Sequence, residues 1–277
     1  MTETPKSLLR LSIDLAILAT PLLVAIVVSA IVLGIRPGFL SSPAASLGTI
    51  DVLTPGFVSV LAVSLLLYGL RRNADRIARL VKGAIIVAGT ISGLVILNFL
   101  VASYANIPLL FYIGVAPLGY LGVYAAFRSY HGLLSARKTV VMMAISATLL
   151  GSLIGGLFPP VFTILLLFAL SIFDVLLVEN NALTKIVGAE NYQDVVKITT
   201  LPLHYHLVGI GDLLVFSMLV ACSARLSGLY SAGATLVLIL AGAFITLELV
   251  RTRFRFAGLA IPIWLGLIPS VLGFLLM

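Results

Sequence analysis

The sequence predicts an all-α, polytopic membrane protein with nine transmembrane helices in a single integral membrane domain, residues 1–277. Of the 277 residues, 61% are hydrophobic and only 10% are charged. An ordinary soluble domain carries about 25% charged residues. Several apolar runs reach the ~20 residues that span a bilayer. The single cysteine, Cys222, excludes an internal disulfide and a CxxC-type metal or redox site.

The predicted helices follow the apolar runs in chain order. They cover residues 11–34, 52–70, 81–104, 108–127, 139–158, 160–178, 207–225, 231–250 and 257–277. The first run follows Lys6 and Arg10 and is long enough to span, which favours an uncleaved anchor over a signal peptide. Pro159 and Pro160 interrupt a very long apolar run and predict a tight reversal between the fifth and sixth helices. The segment 179–206, which precedes the seventh helix, is predicted to be a cytoplasmic loop.

The basic residues predict the orientation of these helices. With nine helices, 15 of the 17 Lys and Arg residues fall on the side of the amino terminus, and only Arg36 and Arg225 fall on the other. The positive-inside rule then places the amino terminus in the cytoplasm and the carboxyl terminus outside. The net charge of +7 is therefore explained by topology, and nucleic-acid binding is not expected. A multi-pass protein of the cell membrane is the predicted setting.

Of the ten acidic residues, two lie well inside predicted helices and away from the helix ends. Asp14, Asp51 and Glu248 lie close to helix ends, where a carboxylate reaches headgroups or water, or pairs with a nearby Arg. Asp174, near the end of the sixth helix, and Asp212, near the start of the seventh, lie roughly 6–8 Å inside the bilayer at ~1.5 Å per residue. Consecutive antiparallel helices bring two such carboxylates face to face. Intramembrane acids are costly, so a functional role is the default hypothesis.

A facing pair of carboxylates suggests a specific chemistry. Two carboxylates in a poorly hydrated site cannot both ionise without a large energetic cost, so the pair is expected to share one proton near neutral pH. The charged member then takes a proton from water, and the neutral member donates a hydrogen bond to the carbonyl that the water attacks. This is the electrostatic arrangement of an aspartic protease, and the titration belongs to the pair.

Three short stretches resemble the presenilin and signal peptide peptidase family of GxGD intramembrane aspartyl proteases, and most closely its prokaryotic presenilin-like members. The stretch "GIGDLLVFSML" matches the GxGD signature at Gly209, Gly211 and Asp212. The stretch "LSIFDVLLV" resembles the other catalytic motif around Asp174, with Phe173 in place of the usual Tyr. In "GLAIPIWLG", Leu259, Ala260, Ile261 and Pro262 resemble the PAL motif without its first proline.

The resemblance implies a peptide-bond hydrolase that cuts transmembrane segments with Asp174 and Asp212 as the catalytic pair and no cofactor. Single-span membrane proteins or signal peptides are the implied substrates. Gly209 and Gly211 let an extended substrate approach the carboxylates, and Pro262 frees a backbone carbonyl that can bond to it. These two glycines, with 259–262, are the implied substrate-binding residues. Self-cleavage within 179–206, known in presenilins, stays open.

Other readings of the same residues remain open. Two buried aspartates also suit a proton- or ion-coupled transporter, although the chain shows no internal repeat. Type IV prepilin peptidases carry a GxGD motif in a shorter bundle, and Gly209 and Gly211 also suit close helix packing. The β-branched stretch 195–203 reads either as a short strand that adds to an extended substrate or as an ordinary loop. His204 and His206 are not expected to bind metal without a third ligand.

Overall fold

A computed structural model describes residues 5–35, 73, 76–77, 79–101, 108–179, 185, 200–202, 207–252 and 257–275. Seven long helices and one pair of short strands make up these residues. The helices are α1 (Pro5–Ile35), α2 (Arg79–Val101), α3 (Pro108–Tyr130), α4 (Ala136–Leu157), α5 (Pro160–Glu179), α6 (Ile210–Thr252) and α7 (Ala260–Leu275). The strands are β1 (Thr200–Pro202) and β2 (Leu207–Gly209), which pair antiparallel.

Five helices are long and apolar enough to cross a membrane. These candidate spans are Ile13–Ile31, Arg79–Val101, Arg137–Leu157, Pro160–Glu179 and Ile210–Val250. The protein is therefore an all-α, multi-pass membrane protein. Helices α3 and α7 coincide with two further predicted spans, whereas the predicted helix 52–70 lies outside the described residues.

Helix α6 comprises two of the predicted helices joined at a sharp turn. A straight helix of 43 residues would be about 65 Å long, twice the thickness of a bilayer core. Gly228 interrupts it with φ 82° and ψ −176°, a backbone conformation that glycine readily adopts. Thr235 Oγ1 donates to Ser223 Oγ at 2.8 Å although the two are 12 positions apart, so the chain reverses at Gly228. We call residues 210–227 the first limb and residues 229–252 the second limb of α6.

The predicted break at the two prolines is also observed. Helix α4 ends at Leu157, and α5 begins at Pro160, a position where a missing N–H costs nothing. Arg225, at the end of the first limb, donates through Nη1 to three carbonyl oxygens at the end of α4, those of Gly156, Leu157 and Phe158. A cation there is favourable because the last carbonyls of a helix lack partners and carry partial negative charge.

Helix α6 is the centre of the bundle and packs on α1, α4, α5 and α7. A Cβ on Gly155 of α4 would collide with the Met218 carbonyl oxygen, and one on Gly151 would collide with the Leu214 carbonyl oxygen. These paired positions advance together along the chain, so α4 and the first limb run parallel. Small residues are what allow two backbones to approach this closely within a membrane.

Helices α2, α3 and α4 form a second group of packed helices. Gly83 lies opposite Ala126 and Gly114 opposite Leu97, so α2 and α3 run antiparallel. By the same reasoning α2 and α4 run parallel, because Gly89 contacts Ser146 and Gly93 lies against Leu149. The start of α2, the end of α3 and the start of α4 therefore lie at one end of the bundle.

Candidate active site

The two predicted aspartates lie where three helix ends meet. Asp174 is five residues before the end of α5, and Asp212 is the third residue of α6. The beginning of α7 completes the site, since α7 runs parallel to the first limb, with Gly258 beside Asp212 and Gly273 beside Ser227. Both carboxylates are partly buried.

The carboxylate of Asp212 is fixed by the turn that begins α6. The Gly209 N–H donates to Asp212 Oδ2 at 3.1 Å, which places an acid of the first turn over the amide just before the helix. This is one half of a capping box, and a negative charge there is favoured by the helix dipole. The helix begins at Ile210, within a few residues of the predicted start at 207, and Leu207–Gly209 forms β2, which pairs with Thr200–Pro202. The observed β1 agrees with the strand reading of 195–203 over its last part.

The carboxylate of Asp174 is held by the start of α7. The Leu259 N–H donates to Asp174 Oδ2 at 2.9 Å. Leu259 immediately precedes α7, and its carbonyl oxygen accepts the first helical bond, from the Ile263 N–H at 3.1 Å. A carboxylate thus lies at the amino-terminal end of each of the helices α6 and α7. At both ends, the backbone N–H groups that lack a partner within the helix favour an anion.

One turn of the chain brings the two aspartates together. Gly258 and Leu259 are consecutive, and a Cβ on Gly258 would lie 3.5 Å from Asp212 Oδ2, whereas the Leu259 amide bonds Asp174. Both carboxylates therefore lie against the same two consecutive residues. Because β2 occupies Leu207–Gly209, the depth of Asp212 is not given by helical rise counted from residue 207. The proximity of the two carboxylates rests on this shared turn instead.

The other predicted site residues surround the aspartates at different distances. Gly211 is exposed, and no neighbouring atom lies within 4 Å of where its Cβ would be, so open space adjoins Asp212. Ala260 is buried, and Ile261 is half-buried. Pro262 is buried against the second limb of α6, where a Cβ on Gly242 would lie 2.5 Å from its Cα.

The position of Pro262 in α7 identifies the backbone carbonyl that this proline leaves without a helical hydrogen bond. Because α7 begins at Ala260, Pro262 lies in the first turn, where an N–H would lack a partner inside the helix. The carbonyl four residues earlier, that of Gly258, is the one denied a helical donor. This carbonyl belongs to the turn that contacts both aspartates.

Sequence reasoning missed a second connection between α5 and α7. The Trp264 indole Nε1–H donates to Ser171 Oγ at 2.9 Å, and Ser171 Oγ–H donates to the Phe168 carbonyl at 2.7 Å. Ser171 is fully buried and lies three residues before Asp174, on the same face of α5. The pair therefore fixes the rotation of α5 next to Asp174. The sequence alone does not identify Ser171, because the hydroxyl of a Ser in an apolar helix usually bonds to a carbonyl of its own helix.

We expect Ser171→Ala to shift the fluorescence of Trp264 to shorter wavelength. Trp264 is the only tryptophan in the chain, so the emission spectrum reports this indole alone. Loss of the hydrogen bond should also lower the free energy of unfolding by about 0.5–1.5 kcal/mol. Ser152→Ala is the matched control, since Ser152 Oγ donates only within α4, to Thr148. An unchanged spectrum for Ser171→Ala would show that the indole bond is absent in solution.

The remaining acidic residues of the described chain behave differently from the pair. Asp14 is fully buried, so the prediction that it reaches headgroups or water is wrong, and pairing with a nearby Arg stays a prediction. Glu248 is half-buried near the end of α6. Within the described ranges, no three His, Cys, Asp or Glu side chains are placed to hold a metal ion. His204, His206 and Asp51 lie outside those ranges.

Comparisons with known proteins neither support nor oppose the resemblance. No protein-family model matches this chain, and no curated protein matches it either. The resemblance to the presenilin family therefore rests on the three sequence motifs.

Proposed function

We propose that the protein is an intramembrane aspartyl protease of the presenilin-like GxGD type. The observation that carries this proposal is the pair of carboxylates from Asp174 and Asp212 on the single turn Gly258–Leu259, inside a multi-pass membrane protein. The three motifs were identified separately in the sequence, and all three contribute atoms to this one place.

In the proposed mechanism the pair holds one proton and one negative charge. The ionised carboxylate removes a proton from a water molecule, and the protonated one donates a hydrogen bond to the substrate carbonyl. The water oxygen attacks that carbonyl, and the nitrogen of the breaking bond receives the proton. The Gly209 and Leu259 amides support the reaction because each stabilises negative charge on one carboxylate.

A peptide bond in a transmembrane helix is protected by its own hydrogen bonds, so the substrate must be unwound before cleavage. Exposed backbone at membrane depth is tolerated only where protein or a water-filled cavity surrounds it. The β1–β2 pair ends at Gly209, three residues from Asp212, so an extended substrate strand added to this pair would pass beside that carboxylate. The Gly258 carbonyl on the opposite side offers a further acceptor for the substrate backbone.

Proteolysis is tested directly with the purified chain. The protein, reconstituted in vesicles, is incubated with a single-span membrane protein that carries a different tag at each end. We expect two tagged fragments whose new termini lie within the transmembrane segment. Intact substrate across a range of substrates and pH values would contradict the proposal.

The proposal includes nine spanning helices in the cell membrane, with the amino terminus inside and both aspartates near the cytoplasmic face. Single cysteines in a Cys222→Ala background test this topology. Cysteines near Arg76, Gly132 and Asn191 should react with an impermeant thiol reagent from the cytoplasm. Cysteines at Ser46, Asn106 and Ser227 should react from outside. Labelling of Asn191 and Asn106 from the same face would show that the number of helices between them is wrong.

We expect Pro262→Ala to lower the rate of cleavage several-fold while the protein still inserts and folds. The new N–H can bond the Gly258 carbonyl, which extends α7 backwards and removes an acceptor beside the aspartates. Pro269→Ala is the matched control, because Pro269 lies inside α7 and farther from the site. Equal rates for wild type and Pro262→Ala would remove the reason for giving Pro262 a role in substrate binding.

A further inference from the structure

A group of basic side chains lies at the end of the bundle where α2 and α4 begin and α3 ends. We call this group the basic end. It consists of Lys82, Arg128, Arg137 and Lys138. Residues 79–101 and 108–157, which form these helices and the connection between α3 and α4, contain no Asp or Glu. These two ranges therefore carry a net positive charge.

The side chains at the basic end are available to a ligand. Arg137 and Lys138 are exposed, and Lys82 and Arg128 are half-buried. Arg128 Nη1 donates to the Tyr124 hydroxyl at 2.8 Å, and its guanidinium carbon lies 5.5 Å from the Tyr124 ring centroid. These contacts restrain the guanidinium and leave its other N–H groups free to bond an anion.

An apolar groove begins about one turn inside the basic end, between the same three helices. Its cavity has a volume of about 220 Å³. Its apolar lining includes Ile86 and Leu94 of α2, Leu118 and Leu121 of α3, and Ile145 and Leu149 of α4. Leu118, Leu121 and Ile145 are 44%, 56% and 49% exposed, so the groove opens sideways towards lipid. Ile86 lies four residues after Lys82, which is ~6 Å along the helix.

We propose that the basic end and this groove form one binding site for an anionic phospholipid. The headgroup phosphate bonds Arg128, Arg137 and Lys138, and one acyl chain lies in the groove. The charge selects an anionic headgroup over a zwitterionic one, since basic groups between helix ends recognise anionic headgroups. The groove requires a chain attached to that headgroup, which a free phosphate lacks. This site is independent of the aspartates and of the proposed protease activity.

Native mass spectrometry of the full-length protein in detergent tests the proposal, with dioleoyl phosphatidylglycerol and dioleoyl phosphatidylcholine as probes. Each interfacial cation contributes roughly fivefold to the binding of an anionic lipid. We expect wild type to prefer phosphatidylglycerol by at least about tenfold, and Arg137→Gln/Lys138→Gln to remove most of this preference. Lys185→Gln removes a basic charge outside the basic end and should leave the preference unchanged.

The groove is tested separately from the charge. Gly93 lines the groove, so Gly93→Leu should fill it and weaken the binding of both lipids at least fivefold. Gly119→Leu is the matched control, because no atom lies within 4 Å of where its Cβ would be and Gly119 does not line the groove. Equal binding of the two lipids by wild type would overturn the proposal without any variant. Displacement of bound phosphatidylglycerol by glycerol 3-phosphate alone would also overturn it, because the site would then hold a free anion.

Discussion

Asp174→Asn and Asp212→Asn should each lower the cleavage of a single-span substrate by about 10²–10⁴-fold, the usual contribution of a positioned acid or base. An Asn amide can neither take the proton from water nor share one with the other carboxylate. The substitution is nearly isosteric, and the amide oxygen of Asn can still accept the N–H of Leu259 or of Gly209. The measurement is the initial rate of cleavage by protein purified from each variant.

The fold of both variants should persist, and the melting temperature should be equal to that of wild type or higher. A neutral amide at membrane depth costs less free energy than a carboxylate does. Asp14→Asn and Glu248→Gln are comparison variants, since each neutralises another acidic residue of the described chain, and each should retain substantial cleavage. Full activity in either aspartate variant would contradict the paired mechanism, even in a protein that proved to be a protease.

The same variants separate the protease from an ion-coupled transporter. A transporter would show no proteolysis in wild type, and uptake into vesicles would be lost on altering either aspartate. The turn before α7 nevertheless favours hydrolysis, since it presents backbone groups beside both carboxylates, as the docking of an extended peptide requires.

The helices could be predicted because their length and composition are set by the bilayer. About 20 apolar residues predict a span whatever the helix packs against, and prolines predict the break before α5. The reversal at Gly228 could be predicted only as a gap between two apolar runs. Helix α6 begins three residues later than predicted. Leu207 and Val208 are apolar, and apolar residues next to an apolar run are predicted to continue the helix. Their pairing with β1 depends on a tertiary contact that periodicity does not report.

The site could be predicted in part. Asp174 and Asp212 were identifiable because a carboxylate in an apolar run is costly and therefore rare. Gly258 and the bond between Ser171 and Trp264 were not, since small and hydroxyl-bearing residues are common in membrane helices for reasons of packing. What distinguishes these residues is their position across α5, α6 and α7, which no single stretch of sequence contains.

Gly155→Ala should destabilise the protein more than any other single methyl group added in the centre of the bundle. A Cβ on Gly155 would collide with the Met218 carbonyl oxygen and would lie 2.9 Å from Met218 Cα. Real side chains do not approach backbone this closely, so α4 must move away from the first limb of α6. Overpacking of this kind costs about 1–3 kcal/mol, and more where backbone must shift. The measurement is the melting temperature of the purified protein in detergent.

The direction in which the melting temperature changes tests how closely α4 packs against α6. Replacing a helical Gly by Ala in open space stabilises a helix by roughly 0.5–1 kcal/mol, because Gly loses more backbone entropy on folding. Gly233 lies within the second limb of α6, and no atom lies within 4 Å of where its Cβ would be. Gly233→Ala should therefore raise the melting temperature and Gly155→Ala should lower it. If both substitutions raised it, α4 would not contact the first limb as described, and the limb that carries Asp212 would have lost its main support.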